Sequence, residues 1–223
     1  MKRTQFSADM VNALLEKRKN QTRRLPSKRD VVEAEASGDP ASYLLKCAEK
    51  KWGAPGTLIA VSEPWAVDSY WDDFGPADIR YQASAPNNLF GLPRVHYLAD
   101  GPKPSGYGKT RPAMFMCLDL SRLTIRVKGI RVERLQDISD SDALNEGILV
   151  HYLRGIGHTG CKDYMRDDCY FINAGMEVKS YESLWRKINP NPGYGSWVSN
   201  PWVLILDFNS VDLNLDRKYQ ERV

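Results

Sequence analysis

Apolar positions recur at three- and four-residue spacing through Met10, Val11, Leu14 and Leu15. This spacing predicts an amphipathic helix that starts at Ser7, a suitable N-cap, and runs to about Arg18. Pro26 ends that region, and residues 31–56 read as a mixed helical patch closed by the turn Gly53-Ala54-Pro55-Gly56. Thr57-Leu58-Ile59-Ala60-Val61 is a continuous apolar run, a short buried strand that delivers Ser62-Glu63-Pro64-Trp65 at its end. Residues 66–113 are aromatic and rich in Pro and Gly, with short strands expected over 79–82 and 95–98 among turn sequences such as Asp100-Gly101-Pro102. Leu123-Thr124-Ile125-Arg126-Val127-Lys128 alternates cleanly as a half-buried strand. After Gly129 the apolar parity moves to Ile130 and Val132, which predicts a bulge or bend of the kind that closes a small barrel. Ser139-Asp140-Ser141-Asp142 starts a short helix that stops at Gly147. Ser180 is expected to cap a helix over 181–188, broken by Asn189-Pro190-Asn191-Pro192-Gly193. Residues 202–208 form a buried strand, and a polar tail follows over 211–223.

No strand is followed by a glycine-rich phosphate loop. An α+β fold, a small β-barrel with peripheral helices and loop insertions, therefore fits better than a doubly wound parallel sheet. The 223 residues fit one domain with insertions or two small ones, and at 42% hydrophobic they can bury a sizeable core. No apolar run approaches the length of a membrane span, and no apolar stretch follows the basic N-terminus. The default expectation is a cytoplasmic protein without a membrane partner. Cys47, Cys117, Cys161 and Cys169 lack C-x-x-C spacing, so free thiols are expected. His151, His158, Cys161 and Cys169 are zinc-ligand types at spacings that match no compact zinc pattern, and no metal or other cofactor is expected.

Charge changes the picture at one place. Residues 1–30 hold nine Lys/Arg against three acids, while the whole chain carries a net charge of only +3. The excess centres on Lys17-Arg18-Lys19-Asn20-Gln21-Thr22-Arg23-Arg24. Two readings stand side by side. One is a solvated basic helix exit, favoured by the helix dipole. The other is a site for an anionic partner, or for chemistry at the amine and hydroxyl of Lys19 and Thr22.

Several motifs occur in order along the chain. They are Leu15-Glu16-Lys17-Arg18-Lys19-x-x-Thr22-x-Arg24, Ile59-x-Val61-x-Glu63-x-Trp65, Val132 to Ile138, the Ala143 to Gly147 helix end, Leu184-Trp185 and Asn200-Pro201-Trp202-Val203. Together they resemble the ASCH domain of the PUA-like superfamily, nearest to the ASCH proteins of phages and prophages. The resemblance covers most of the chain as one domain over 1–210, with insertions near 28–52, 66–112 and 148–178. Lys17 stands where the family carries glycine, which points to an absent or relaxed turn there. Pro64 stands where related proteins carry threonine, and of a further run only Ser121 and Arg122 are retained.

The resemblance implies a PUA-like barrel that binds RNA, DNA or a modified nucleoside, in a bacterial or phage-infected cytoplasm. Some members are similar to amidohydrolases that deacetylate 4-N-acetylcytidine, and others are reported as ribonucleases. The catalytic roles then fall on Lys19, Thr22 and Glu63. A threonine hydroxyl needs a base to become a nucleophile, and Lys19 can serve if neighbouring cations lower its pKa. Glu63 would relay a proton or hold Lys19. Lys17, Arg18, Arg23, Arg24, Ser121 and Arg122 are candidate binding residues, with Trp65 as a stacking surface. The plain alternative is structural: an ion pair between Lys19 and Glu63, a turn-capping Thr22 and a core Trp65. A non-catalytic reader of RNA or modified DNA is the other functional reading.

Overall fold

The computed structural model describes residues 1–79, 94–155 and 157–211. Its strands are β1 (Lys2–Gln5), β2 (Gln21–Arg24), β3 (Leu58–Ser62), β4 (Trp65–Val67), β5 (Val95–Tyr97), β6 (Leu123–Arg134), β7 (Val150–Leu153), β8 (His158–Lys162), β9 (Tyr170–Phe171) and β10 (Trp202–Val211). Its longer helices are α1 (Ala8–Leu15), α2 (Lys28–Ala36), α3 (Pro40–Trp52), α4 (Asp140–Asn145) and α5 (Met176–Ile188). The class is α+β, as expected. The strands form a five-stranded sheet of order β1-β3-β6-β10-β2, a pair β4-β5 and a three-stranded sheet β7-β8-β9. That five-strand order is open, with β1 and β2 at its edges, and no closed barrel is found among the described residues. The expected strand over 79–82 lies, apart from Ile79, outside the described residues, as does the tail beyond 211.

The chain forms two compact units whose segments interleave along the sequence. Residues 1–12 and 58–126 contribute to one, residues 13–57 and 127–209 to the other. In the first unit β1 lies parallel to β3, with Lys2 opposite Ile59, and β3 lies antiparallel to the start of β6. Ile59 to Ser62 are all buried, which is why this strand reads as an unbroken apolar run rather than an alternating one. Trp65, Val67, Trp71, Ile79 and Met116 form this unit's packed cluster.

In the second unit β2 runs antiparallel to β10, with Thr22 opposite Leu206. The core gathers Leu135, Ile138, Ala143, Ile148, Tyr181, Trp185, Val203 and Ile205. The small sheet β7-β8-β9 occupies the expected 148–178 insertion, and its Cys161 joins the same core.

Local expectations fare unevenly. Ser139 Oγ accepts from the Asp142 amide, and Gly147 follows α4 at φ +90°, as the capping sequence predicts. α5 begins at Met176 rather than 181, and Ser180 is no cap. Its buried hydroxyl donates to the Lys162 carbonyl at 2.6 Å. β6 runs twelve residues through Gly129 without interruption. The parity change coincides with a change in burial: residues 129–133 are all half-buried, so one-sided burial ends where alternation does. α1 buries Val11 and Leu14, but Leu15 is 40% exposed. α1 also stops sooner than expected, at Leu15.

What stops it is a left-handed turn. Lys17 sits at φ +60°. The Lys17 amide donates to the Leu14 carbonyl at 3.0 Å and the Arg18 amide to the Ala13 carbonyl at 2.9 Å. This pair of bonds is a Schellman C-cap, with Lys17 in the position that glycine normally takes. The tight turn is therefore present in spite of the lysine side chain. A Cβ at positive φ is a local cost of about 1 kcal/mol. Lys17→Gly should raise stability by about 0.5–1 kcal/mol, read as a higher urea midpoint at unchanged slope. A lower midpoint would refute the strained-cap reading.

Candidate functional site

The basic segment is a solvated helix exit only in its outer part. After the Lys17 turn the chain enters β2, whose four residues Gln21, Thr22, Arg23 and Arg24 alternate between two faces. Gln21 and Arg23 share one face, Thr22 and Arg24 the other. Lys17 is exposed and Arg18 half-buried, but Lys19, Gln21, Thr22 and Arg23 are buried. The segment therefore splits into an outer and an inner part within four residues.

Lys19 is 2% exposed. Its Nζ donates to Glu146 Oε2 at 2.9 Å and to the Glu146 main-chain oxygen at 2.8 Å. The backbones also meet, since Lys19 and Glu146 form an antiparallel bridge and the Asn20 amide donates to the Asn145 carbonyl. Gly147 makes this approach possible. A Cβ there would lie 2.9 Å from both Ala13 Cβ and Lys19 Cβ. Arg18 Nη1 closes the same corner by donating to the Gly147 carbonyl. Burial pushes the Lys19 pKa below its ordinary value. Glu146 opposes that shift through its charge and its hydrogen bond, while Arg24 and Arg23 reinforce it.

Arg23, also 2% exposed, reaches Asp142 Oδ2 at 3.1 Å, Glu146 Oε1 at 3.4 Å and Glu133 Oε2 at 3.6 Å. It also donates to Gln21 Oε1, and its guanidinium lies 5.8 Å from the Tyr181 ring centre. Gln21 Nε2 in turn donates to Asp142 and Asp207, and Arg131 bridges Glu133, Asp142 and Asp207. These pairs set the four carboxylates of Glu133, Asp142, Glu146 and Asp207 against Lys19, Arg23 and Arg131. The inner part of the basic segment is neutralised from within. Half-buried Arg24 has its pKa lowered by burial, against the raising influence of Glu146 and Tyr181.

Thr22 is fully buried, and among the described residues its Oγ1 has no hydrogen-bond partner. A buried hydroxyl left unmatched costs about 1–3 kcal/mol. Its strand, β2, is an edge strand of the sheet.

Glu63, Trp65, Ser121 and Arg122 belong to the other unit. Glu63 is fully buried and bidentate with Arg122, at 2.9 and 3.0 Å. Burial raises its pKa, opposed by Arg122. Arg122 also pairs with Asp100, and its guanidinium stacks 4.0 Å from the Tyr97 ring centre. Ser121 Oγ donates to the Val61 and Leu123 carbonyls. Trp65 is fully buried in its unit's core with Arg111 5.3 Å from the ring centre, so it is a packing residue and not an open stacking surface.

Sequence reasoning missed Glu146, the carboxylate that holds Lys19. The signal was present as Asp142-x-x-x-Glu146, two acids on one face of a capped helix just before Gly147. A separate open cavity of about 570 Å³ is lined by residues near the end of α5 and in the loop after it, Trp197 and Val198 among them. Among the described residues no group of three or more His, Cys, Asp or Glu is placed to hold a metal ion. No helix is long and apolar enough to cross a membrane among those residues. Comparison of the chain with protein-family models, with curated proteins and with solved structures found no match.

The carboxylate network predicts a pH dependence. Burial tends to raise the Asp142 pKa, but hydrogen bonds from Gln21 and Arg131 and the charges of Arg23 and Arg131 outweigh it, and the result is about 2 against an ordinary 3.8. A folded-state pKa below the unfolded one means stability that is present above 3.8 and lost as pH falls through about 2. The difference in unfolding free energy between wild type and Asp142→Asn should therefore be constant at neutral pH and shrink as pH falls from 3.8 towards 2. Urea titrations across that range would show it, and a difference that grows on acidification would contradict the network.

Proposed function

We propose that this chain is an ASCH-type, PUA-like protein that takes a single acylated nucleoside and hydrolyses the amide on the exocyclic amine of cytidine. The observation that carries this reading is a buried threonine hydroxyl without a hydrogen-bond partner among the described residues, three positions along the chain from a buried lysine whose pKa burial lowers. Threonine chemistry needs both: a base able to lose its proton, and an oxygen not committed to a structural hydrogen bond.

In the reaction, Thr22 Oγ1 bonds to the acyl carbon as its proton passes to neutral Lys19 Nζ. The carbon–nitrogen bond then breaks, and Lys19 returns the proton to the departing amine of the base. Water attacks the resulting Thr22 ester, releases the carboxylic acid and restores the hydroxyl. Arg24, on the same strand face as Thr22, is suited to the charge that develops on the acyl oxygen. The resemblance gives Glu63 the proton relay. Glu63 has Arg122 as its own partner, and Glu146 is a carboxylate in contact with Lys19. Thr22 is closed to solvent, so substrate entry requires local opening, for which a four-residue edge strand is a favourable place.

The reading of the basic segment as a track for a phosphate backbone loses support on the same observations. Polynucleotide affinity comes from cations free to replace counterions. Lys19 and Arg23 already face carboxylates in a buried network. A neutral substrate of nucleoside size makes no such demand.

Lys19→Ala is a poor test, because leaving Glu146 buried without this partner costs about 3–5 kcal/mol. Thr22→Val keeps the shape and removes only the unmatched hydroxyl. It should leave stability unchanged or slightly raised, while turnover of 4-N-acetylcytidine to cytidine, followed by chromatography, falls by about a thousandfold or more. An absence of wild-type turnover across a panel of N-acylated pyrimidine nucleosides would sink the proposal.

A further inference from the structure

Lys19 is held more completely than an ion pair alone requires. Its backbone is bridged to Glu146, its amine donates to both the side chain and the main chain of that residue, and Gly147 beside it admits the contact by lacking a Cβ. The second carboxylate oxygen of Glu146 faces Arg23, which is fixed in turn by Asp142. The groups around the amine come from three elements. Glu146 follows α4, Arg23 and Arg24 lie on β2, and Tyr181 of α5 faces the same carboxylate and both arginines.

We infer that Glu146 is a positioning residue that fixes the Lys19 amine beside Thr22's strand and controls how readily that amine gives up its proton. The inference deepens the hydrolase reading and takes its functional meaning from it, although its test does not need turnover. A lysine buried beside two arginines is driven towards the neutral amine by desolvation and by like charge. One carboxylate, shared with Arg23, restrains that drive. Without it the amine keeps the Glu146 main-chain oxygen as an acceptor and loses the charge that favours its protonated form. With it the amine is held by two acceptors, and the balance can be shifted by any group that competes for the carboxylate.

Control of the amine by Glu146 shows in its titration, and use of that control in catalysis shows in the pH–rate profile. Glu146→Gln keeps the side-chain shape and removes the charge. The Lys19 side-chain carbon resonance, followed by NMR against pH, should titrate at lower pH in Glu146→Gln than in wild type. If the protein turns over acylated nucleosides, the acid limb of its pH–rate profile should move down with it. A Lys19 titration that stays in place or moves up in the variant overturns the inference, whether or not any substrate is turned over. Should Glu146→Gln fail to fold, the wild type still decides. A scalar coupling from Lys19 Nζ to the Glu146 carboxyl carbon across the hydrogen bond supports the assignment. A freely exchanging amine without that coupling overturns it. Unchanged NMR behaviour counts against Glu146, whereas the expected shift without turnover counts only against the hydrolase reading.

Discussion

A buried ammonium at hydrogen-bonding distance from a buried carboxylate organises the second unit of this protein. Removing two charges from water costs several kcal/mol per ion, and only close geometry with further hydrogen bonds offsets it. Lys19 and Glu146 meet that condition at 2.9 Å with the Glu146 carbonyl as a second acceptor. The constraint propagates outward. Lys19 must leave the α1 end at a sharp angle, so Lys17 takes a left-handed conformation. Glu146 must approach a strand, so position 147 must lack a side chain. Arg23 must be matched as well, which draws in Asp142, Glu133 and, through Gln21 and Arg131, Asp207.

This arrangement leaves two buried atoms of the segment out. Lys19 Nζ and both terminal nitrogens of Arg23 face carboxylates, yet Arg23 Nε and the Thr22 hydroxyl are buried without a hydrogen-bond partner among the described residues. A valine in place of Thr22 would fill that position at lower cost. Under the proposed hydrolase reading, that hydroxyl would find its partner only when substrate is present.

Much of the secondary structure was legible in the sequence because it rests on local signals. The buried run ending at Val61, the Ser139 cap, the Gly147 stop and the strand from Trp202 all carry their own chemistry. Strands β1 and β2 were not legible. Lys2-Arg3-Thr4-Gln5 and Gln21-Thr22-Arg23-Arg24 are polar, and polar tetrapeptides become strands only because β3 and β10 offer them hydrogen bonds. The same limit applies to the site. Lys19 and Thr22 stood out by type and spacing, but their burial did not, because charge counted along a sequence does not show which acids return to meet it. Glu146 is 127 residues away from Lys19. The departure at Lys17 pointed to a relaxed turn, whereas the cap geometry persists and the lysine bears its cost.

The central claim is that the basic segment divides at Lys17, outer residues in solvent and inner ones held against carboxylates. Amine acylation of the native protein under limiting reagent, read residue by residue by mass spectrometry, tests it directly. Lys17, exposed on its turn, should be modified rapidly, and Lys19 should remain protected until the protein is unfolded. Equal labelling of Lys17 and Lys19 in the folded protein would contradict the account.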